Sequence, residues 1–299
     1  MNRPLWWKTA LLATLAMIAF AANSLLCRVA LGGETIDAAS FTAIRLASGA
    51  LTLALIAFPS SSLASLRADW QAASALFIYA LCFSFAYLFL SVGTGALILF
   101  ASVQLTMIGA GVVAGERLSA RAGLGLAAAI GGLAYLVAPG LTAPPLLGAS
   151  LMAVAGAAWG VYSLRGRNAT NPLLATASNF MLALPMALLA VLLIPRFSAE
   201  PALTAAGIGW AVLSGALASG IGYVIWYGAL RGLSAVRAAT IQLSVPLIAA
   251  FAGVALLSES LSLRLVLASF AILGGIALVL PQRSASASRA PSVELPGRP

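Results

Sequence analysis

Ten long apolar runs occupy most of the sequence, at about 6–29, 39–58, 71–92, 96–114, 122–138, 147–164, 173–194, 205–229, 235–257 and 263–280. Each run is close to the roughly 20 residues that an α-helix needs to cross the hydrocarbon core of a bilayer. Short connectors rich in turn-forming and charged residues, such as GGETIDA and GERLSAR, separate the runs. A transmembrane β-barrel would show short alternating segments instead, and the sequence has none. The sequence therefore predicts an all-α integral membrane protein with ten transmembrane helices.

The charged residues predict an orientation in that membrane. They make up only 8% of the chain, whereas a soluble domain carries about a quarter. If the N-terminus is cytoplasmic, three of the 16 Lys and Arg residues lie outside (Arg28, Arg196 and Arg264), Arg45 lies within a span, and the rest lie inside. This bias predicts that both termini are cytoplasmic. The basic residues are scattered, which argues against a nucleic-acid partner. A cleaved signal peptide is the alternative for the first run.

One segment occurs twice in the chain. Residues 116–132 read ERLSARAGLGLAAAIGG and residues 259–275 read ESLSLRLVLASFAILGG, with eight of seventeen positions identical. Residues 1–140 and 146–281 each hold five predicted spans, and an odd number inverts the second half relative to the first. We therefore expect two inverted five-helix repeats, followed by a disordered cytoplasmic tail at 282–299. Secondary transporters share this architecture and hold substrate at the repeat interface; a duplication retained only for folding is the alternative.

A polar stripe repeats inside the predicted membrane spans. Ser102-Val-Gln104-Leu-Thr106 in span four matches Thr240-Ile-Gln242-Leu-Ser244 in span nine. A carboxamide in hydrocarbon is costly unless it is hydrogen-bonded, so both glutamines should face the protein interior or a wet cavity. Two interpretations stay open: hydrogen bonds between helices, or donors and acceptors for a polar substrate.

Further polar and aromatic residues lie well inside the runs. An aromatic belt at the membrane surface explains Trp6, Trp7 and Trp70, but not residues as deep as Tyr87 and Trp159. Ser84, Tyr87 and Ser91 are spaced to share one helix face. Aromatic walls suit a substrate with an apolar or aromatic body. The candidate substrate-binding residues are Asn23, Tyr79, Ser84, Tyr87, Gln104, Trp159, Tyr162, Tyr223 and Gln242.

Arg45 is the one charged residue within a span. It either reaches outward to solvent or pairs with Asp37 or Glu34 in a structural role, or it anchors the carboxylate of a substrate. Pro185 and Pro246 also lie within spans, as gating hinges or as ordinary tolerated prolines.

The residues needed for proton coupling, metal binding and ATP binding are missing from the sequence. The chain has no His, and no Asp or Glu falls at mid-membrane, where proton-coupled pumps carry their proton. Cys27 and Cys82 lie in apolar runs, which argues against a disulfide or a metal cluster. No GxxxxGK[ST] loop is present for ATP. We therefore expect no enzyme, cofactor or metal. The missing acid favours a facilitator, with coupling through a site not visible in the sequence as the alternative.

Three groups of residues resemble a known family. Phe20-Ala-Ala-Asn-Ser-Leu-Leu-Cys-Arg28, Phe41-Thr-Ala-Ile-Arg45 and the two E-x-L-S-x-R segments resemble the EamA-type members of the drug/metabolite transporter superfamily. The segment QLTMIGAGVVAGERLSA resembles the aromatic amino-acid exporter branch, as does the short interval between Gln104 and Glu116. The family's usual Trp-Gly before the Asn of span one is replaced here by Phe-Ala-Ala, so no Trp role is carried to that position.

The resemblance implies a multi-pass bacterial inner-membrane exporter with a central cavity. Its expected substrates are neutral, chiefly aromatic amino acids, extending to Thr or Met, moved by alternating access. Its partners would be these amino acids and the lipid bilayer, with the chain a monomer or weak homo-oligomer. The alternatives are an exporter of other small metabolites or drugs, a passive pore, and a membrane scaffold or sensor.

Overall fold

The computed structural model describes residues 6–57, 68–115, 118–140, 142–166, 169–194, 203–233 and 235–279. Throughout these ranges the regular structure is helical, without strands. The elements are α1 (Trp6–Gly32), α2 (Ala38–Ala57), α3 (Trp70–Ala86), α4 (Val92–Val113), α5 (Ala120–Val137), α6 (Leu146–Gly166), α7 (Pro172–Leu193), α8 (Ala205–Leu213), the π segment (Ser214–Ile221), α9 (Gly222–Leu230), α10 (Ala235–Gln242), α11 (Ser244–Leu257) and α12 (Leu263–Val279).

These helices make the chain a multi-pass membrane protein. Eight helical stretches of the described residues are long and apolar enough to cross a bilayer: α1, α2, α4, α5, α6, α7, the continuous stretch Ala205–Leu230 and the stretch Thr240–Leu257. The helices α3 and α12 are apolar but shorter, at 17 residues each. The all-helical fold is confirmed, whereas the count of ten spans and the position of the termini stay predictions.

Polar side chains set where several helices begin. Each accepts a hydrogen bond from a backbone N–H of the first turn, which would otherwise lack a partner. The residues that cap in this way are Asp69, Ser91, Ser119, Asn171 and Thr204. Each stands directly before an apolar run, so the helix starts where the polar connector ends.

The predicted end of span three was wrong. The helix α3 ends at Ala86 rather than near 92, and the Tyr87 amide donates to the carbonyls of Phe83 and Ser84 in a tight turn. Ser91 then begins α4, because its hydroxyl accepts from the Thr94 amide at 3.4 Å. Ser84, Tyr87 and Ser91 therefore do not share one helix face.

Two stretches in the second half depart from regular α-helix. Residues 205–230 widen into the π segment between α8 and α9. Residues 235–257 break at Leu243, and Pro246 explains the break because it has no N–H for the Gln242 carbonyl four residues earlier. Pro185 lies within α7, which stays continuous from Pro172 to Leu193. The two proline positions that the sequence suggested as hinges therefore differ in their local structure.

Small residues allow the helices to approach closely. A Cβ added at Gly132 of α5 would lie 2.8 Å from the Cβ of Ala271 in α12. Likewise, a Cβ at Gly156 of α6 would lie 2.6 Å from the Cβ of Ser102 in α4. Such close contact of backbones is the usual source of stability between helices in lipid.

Candidate functional site

Arg45 of α2 lies at the centre of the candidate site and is only 1% exposed. Its Nη2 donates to the Tyr79 hydroxyl at 3.0 Å, and its Nε donates to the Ser219 hydroxyl at 3.4 Å. The guanidinium carbon lies 5.2 Å from the centroid of the Tyr79 ring and 5.1 Å from that of Phe83. Hydrogen bonds and two aromatic rings therefore hold the guanidinium inside the protein.

The solvent contact and the acidic partners that a structural role predicted for Arg45 are not found among the described residues. Arg45 does not reach solvent, and the ion pairs of the described residues join Arg28 to Glu259 and Arg165 to Asp69 instead. Asp37 accepts from the Ser40 amide at 2.9 Å at the start of α2.

One guanidinium nitrogen of Arg45 has no hydrogen-bond partner among the described residues. This nitrogen, Nη1, is buried. A buried charge costs several kcal/mol unless an opposite charge and further hydrogen bonds compensate it. The described residues place no carboxylate against this nitrogen to compensate its charge.

A chain of hydrogen bonds continues from Arg45 across three helical elements. The Asn23 amide of α1 donates from Nδ2 to the Tyr79 hydroxyl at 3.3 Å. The Ser214 hydroxyl donates to Asn23 Oδ1 at 2.6 Å. Ser214 and Ser219 both belong to the π segment, and the i→i+5 turn of a π-helix brings residues five apart towards one side. The irregular helix therefore supports both ends of this polar chain.

Aromatic rings form a layer beside the polar chain. The Trp159 ring of α6 lies 4.8 Å from Tyr79, 5.3 Å from Tyr162 and 5.4 Å from Tyr223. Tyr223 in turn lies 5.8 Å from Phe20. The π-faces of such rings suit a flat apolar body or a cation. The site therefore joins a buried positive charge to an aromatic surface.

The structure brings five of the predicted binding residues together with Arg45, namely Asn23, Tyr79, Trp159, Tyr162 and Tyr223. Ser84 instead links two helices, since it accepts from the Thr42 hydroxyl at 2.8 Å and donates to the Ala80 carbonyl at 2.9 Å. Gln104 is buried in α4, and Gln242 is the last residue of α10, directly before the helix break.

Several residues of the site were not among the predicted binding residues. The rings of Phe83 and Phe180 and the hydroxyls of Ser214 and Ser219 all contact it. A Phe inside an apolar run gives no signal of its own. The sequence SGALASG, which contains both serines, does signal close helix approach through its glycines.

The site is closed at the end of the molecule where α1 finishes, which we call the Arg28 end. Arg28 Nη1 donates to the Tyr87 carbonyl at 2.8 Å, and its Nε lies 3.5 Å from Glu259 Oε1. The other carboxylate oxygen of Glu259 accepts from the Val92 amide, the first of α4, at 2.8 Å. The Tyr87 hydroxyl donates to the Val92 carbonyl at 3.4 Å. The Tyr87 ring also lies 4.8 Å from the Phe83 ring, so Tyr87 connects this closure to the rings beside Arg45.

Close packing of α4 on α11 reinforces the Arg28 end. A Cβ added at Gly93 would lie 2.8 Å from the Cβ of Ala250. Residues 95–104 of α4 are all buried, whereas its last turns include the exposed residues Gly109, Val112 and Val113. The two helices thus meet at the Arg28 end, and burial of α4 decreases towards the opposite end.

The likeness to known proteins decides the family. Residues 146–280 match the profile of the EamA-like transporter family. A Pseudomonas aeruginosa protein called Uncharacterized protein PA1977 is 52% identical over 283 residues, which cover 94% of this chain and 98% of the relative. The chain belongs to the EamA-like transporter family. This family membership points to membrane transport of small molecules.

A solved structure supports the fold of this EamA-like transporter. One chain of known crystal structure aligns with a TM-score of 0.63 and 19% identity, over 94% of this chain and 98% of that chain. At this identity the match concerns the fold alone. It extends across both halves of the transporter, whereas the family profile covers the second half.

Proposed function

We propose that the chain exports neutral, chiefly aromatic amino acids across the bacterial inner membrane, with Thr and Met as further substrates. The substrate carboxylate binds Arg45, and its side chain lies against Tyr79, Trp159 and Tyr223. The observation that carries this proposal is Arg45 itself: it is fully buried, lacks an acidic partner among the described residues, and keeps one free donor.

Charge and shape together favour an amino acid over other small solutes. A guanidinium forms paired hydrogen bonds to a carboxylate, and these are among the stronger polar contacts in proteins. The adjacent rings offer apolar surface to an aromatic side chain and π-faces to an α-ammonium group. A cationic drug would instead meet the positive charge of Arg45 inside the protein, where repulsion is poorly screened.

Paired contacts support the proposed inverted repeats, 1–140 and 146–281. At the start of α3, Asp69 binds Arg165 from the end of α6, at 3.1 Å. At the start of α8, the Thr204 hydroxyl donates to the carbonyl of Thr35, just beyond α1, at 2.9 Å. In each half, the third helical stretch thus begins beside the end of the other half's first helix. Two such halves, inverted in the bilayer, open the site to each side in turn, with the Arg28 end facing outward and closed here.

Counterflow in proteoliposomes tests the substrate. Vesicles loaded with phenylalanine should take up labelled phenylalanine, and tyrosine, tryptophan and 3-phenylpropionate should compete, whereas phenethylamine, which lacks the carboxylate, should not. Arg45→Gln should abolish exchange, while Arg231→Gln, which removes an exposed arginine at the end of α9, should retain it.

Distinct results would contradict the proposal. Folded protein that exchanges no amino acid, or that accepts phenethylamine as well as phenylalanine, would exclude this substrate class. Flux without saturation or trans-stimulation would indicate a pore. Exchange that collapses when a protonophore dissipates the pH gradient would exclude simple facilitation.

A further inference from the structure

We infer that the Tyr79 hydroxyl is a second anion donor, and that it makes the site select a carboxylate over an uncharged group of the same shape. The inference rests on the proposed function and assigns a specificity-determining role within that site. The decisive feature is the set of hydrogen bonds that Tyr79 already receives.

A phenolic hydroxyl has one proton to donate and two lone pairs with which to accept. At Tyr79, Arg45 Nη2 donates to the oxygen at 3.0 Å and Asn23 Nδ2 donates to it at 3.3 Å. These two bonds occupy both lone pairs. Neither a guanidinium nor an amide nitrogen can accept in return. The Tyr79 proton therefore points away from both neighbours and is available to a third group.

Ser214 contacts the other side of the Asn23 amide. Its hydroxyl donates to Asn23 Oδ1 at 2.6 Å, which turns the Nδ2 side of the amide towards Tyr79. An amide turned the other way would present oxygen to Tyr79 and take its proton. The π segment, which carries Ser214, thus supports the Asn23 orientation in which Nδ2 faces Tyr79.

Two free donors result on adjoining groups. Arg45 Nη1 has no partner in the part of the chain that the structure describes, and it shares its guanidinium carbon with the nitrogen that donates to Tyr79. The Tyr79 and Phe83 rings hold the guanidinium carbon at 5.2 and 5.1 Å and so restrict its rotation. A carboxylate has lone pairs for both donors and carries the opposite charge. A carboxamide has one neutral oxygen and an NH₂ group that can only donate. Its N–H groups would face the donors of Arg45 and Tyr79 and find no acceptor there.

The test compares an acid with its amide on matched variants. Competition by 3-phenylpropionate and 3-phenylpropionamide against labelled phenylalanine gives an acid-to-amide preference for each protein. Removing one charge-assisted hydrogen bond by Tyr79→Phe should weaken acid binding about 10- to 150-fold, and amide binding much less. Tyr227→Phe, which removes a half-buried phenol bonded to Thr176 at 2.8 Å, should leave the preference unchanged.

A second variant keeps the inference testable if Tyr79→Phe fails to fold. Ser214→Ala changes no charge and removes the hydroxyl bonded to Asn23 Oδ1, so the amide can turn and accept the Tyr79 proton, and the preference for acid should fall. An unchanged preference in both variants, or equal weakening of acid and amide by Tyr79→Phe, would overturn the inference while leaving amino-acid exchange intact. Failure of the wild-type protein to exchange any amino acid would instead remove the proposed function.

Discussion

Glu259→Gln tests whether the Arg28 end is a gate held by charge. Glu259 accepts from the Val92 amide at 2.8 Å and lies 3.5 Å from Arg28 Nε. The variant keeps the size of the side chain and one oxygen for the Val92 amide. It removes only the negative charge at the start of α4 and opposite Arg28.

The expected magnitude follows from these two contacts. A charge-assisted hydrogen bond is about twice as strong as a neutral one, so its loss costs about 1 kcal/mol. The ion pair is partly exposed, with 28% and 15% of the two side chains accessible, and such a pair adds about 0–1 kcal/mol. Together they stabilise the closed state by about 1–2 kcal/mol, or about 5- to 30-fold. An open state populated at about 5% would rise to about 20–60%.

Distance measurements between spin labels give those populations directly. Phe89→Cys and Leu261→Cys place labels at exposed positions near this end, 42% and 52% accessible, on either side of the closure. Cys82 is replaced by Ala for this purpose, and Cys27 is fully buried. In lipid nanodiscs, Glu259→Gln should increase the population at longer distances.

The control removes a carboxylate from the same end without breaking the closure. Glu34 is exposed in the turn after α1, and Glu34→Gln should leave the distances unchanged. Equal distributions for wild-type protein and Glu259→Gln, or the same shift in Glu34→Gln, would show that charge does not hold the gate.

Three further perturbations test the fold. Gly132→Ala should lower the free energy of unfolding by about 1–3 kcal/mol, seen as a lower melting temperature in detergent, because the added Cβ would lie 2.8 Å from that of Ala271. The control Gly131→Ala adds a Cβ with nothing within 4 Å and should leave the melting temperature unchanged. Pro246→Ala restores the backbone N–H missing at the α10–α11 break, so exchange of the backbone amides around Leu243 should slow. The control Pro185→Ala lies in continuous α7 and should leave the exchange of those amides unchanged. The third perturbation concerns Asp69. Partial desolvation raises the pKa of its carboxyl, but the Ala72 amide and the Arg165 guanidinium outweigh this and hold that pKa below its usual value. Its stabilisation is therefore present above about pH 4 and lost as the pH falls through the lowered pKa. The melting-temperature deficit of Asp69→Asn, measured against pH, should shrink in acid.

Local patterns in the sequence predict most of the helices and little of their irregularity. Apolar runs and polar caps fix the start of α3 at Asp69 and of α8 at Thr204, because both signals lie within a few residues. The turn at Tyr87 lies inside a run that is apolar throughout, so hydropathy cannot locate it. The π segment is likewise invisible to hydropathy, since its alternative hydrogen bonds involve the same apolar residues.

The same limit separates the parts of the site that could be predicted from those that could not. Tyr79, Trp159 and Tyr223 stand out because an aromatic polar group deep in a run needs an explanation. The state of Arg45 does not follow from its own neighbourhood, since Asp37 and Glu34 are nearer in sequence than its actual partners. Tyr79 lies 34 residues away and Ser219 lies 174 residues away. Only the packing of helices from both halves decides that the guanidinium faces phenols and serines rather than acids.

The unpaired charge of Arg45 connects the proposed substrate to the proposed transport cycle. An empty site that closes at both ends leaves a guanidinium donor without partner or water, which costs free energy. A bound carboxylate supplies both the opposite charge and the missing acceptor, so closure becomes easier when the site is loaded. A ligand that binds the closed state better shifts the population towards it. The same residue can therefore select the substrate and restrict the passage of the empty carrier, without a proton-carrying acid. On this reasoning, exchange of one amino acid for another outpaces net efflux because the loaded carrier reorients more readily than the empty one.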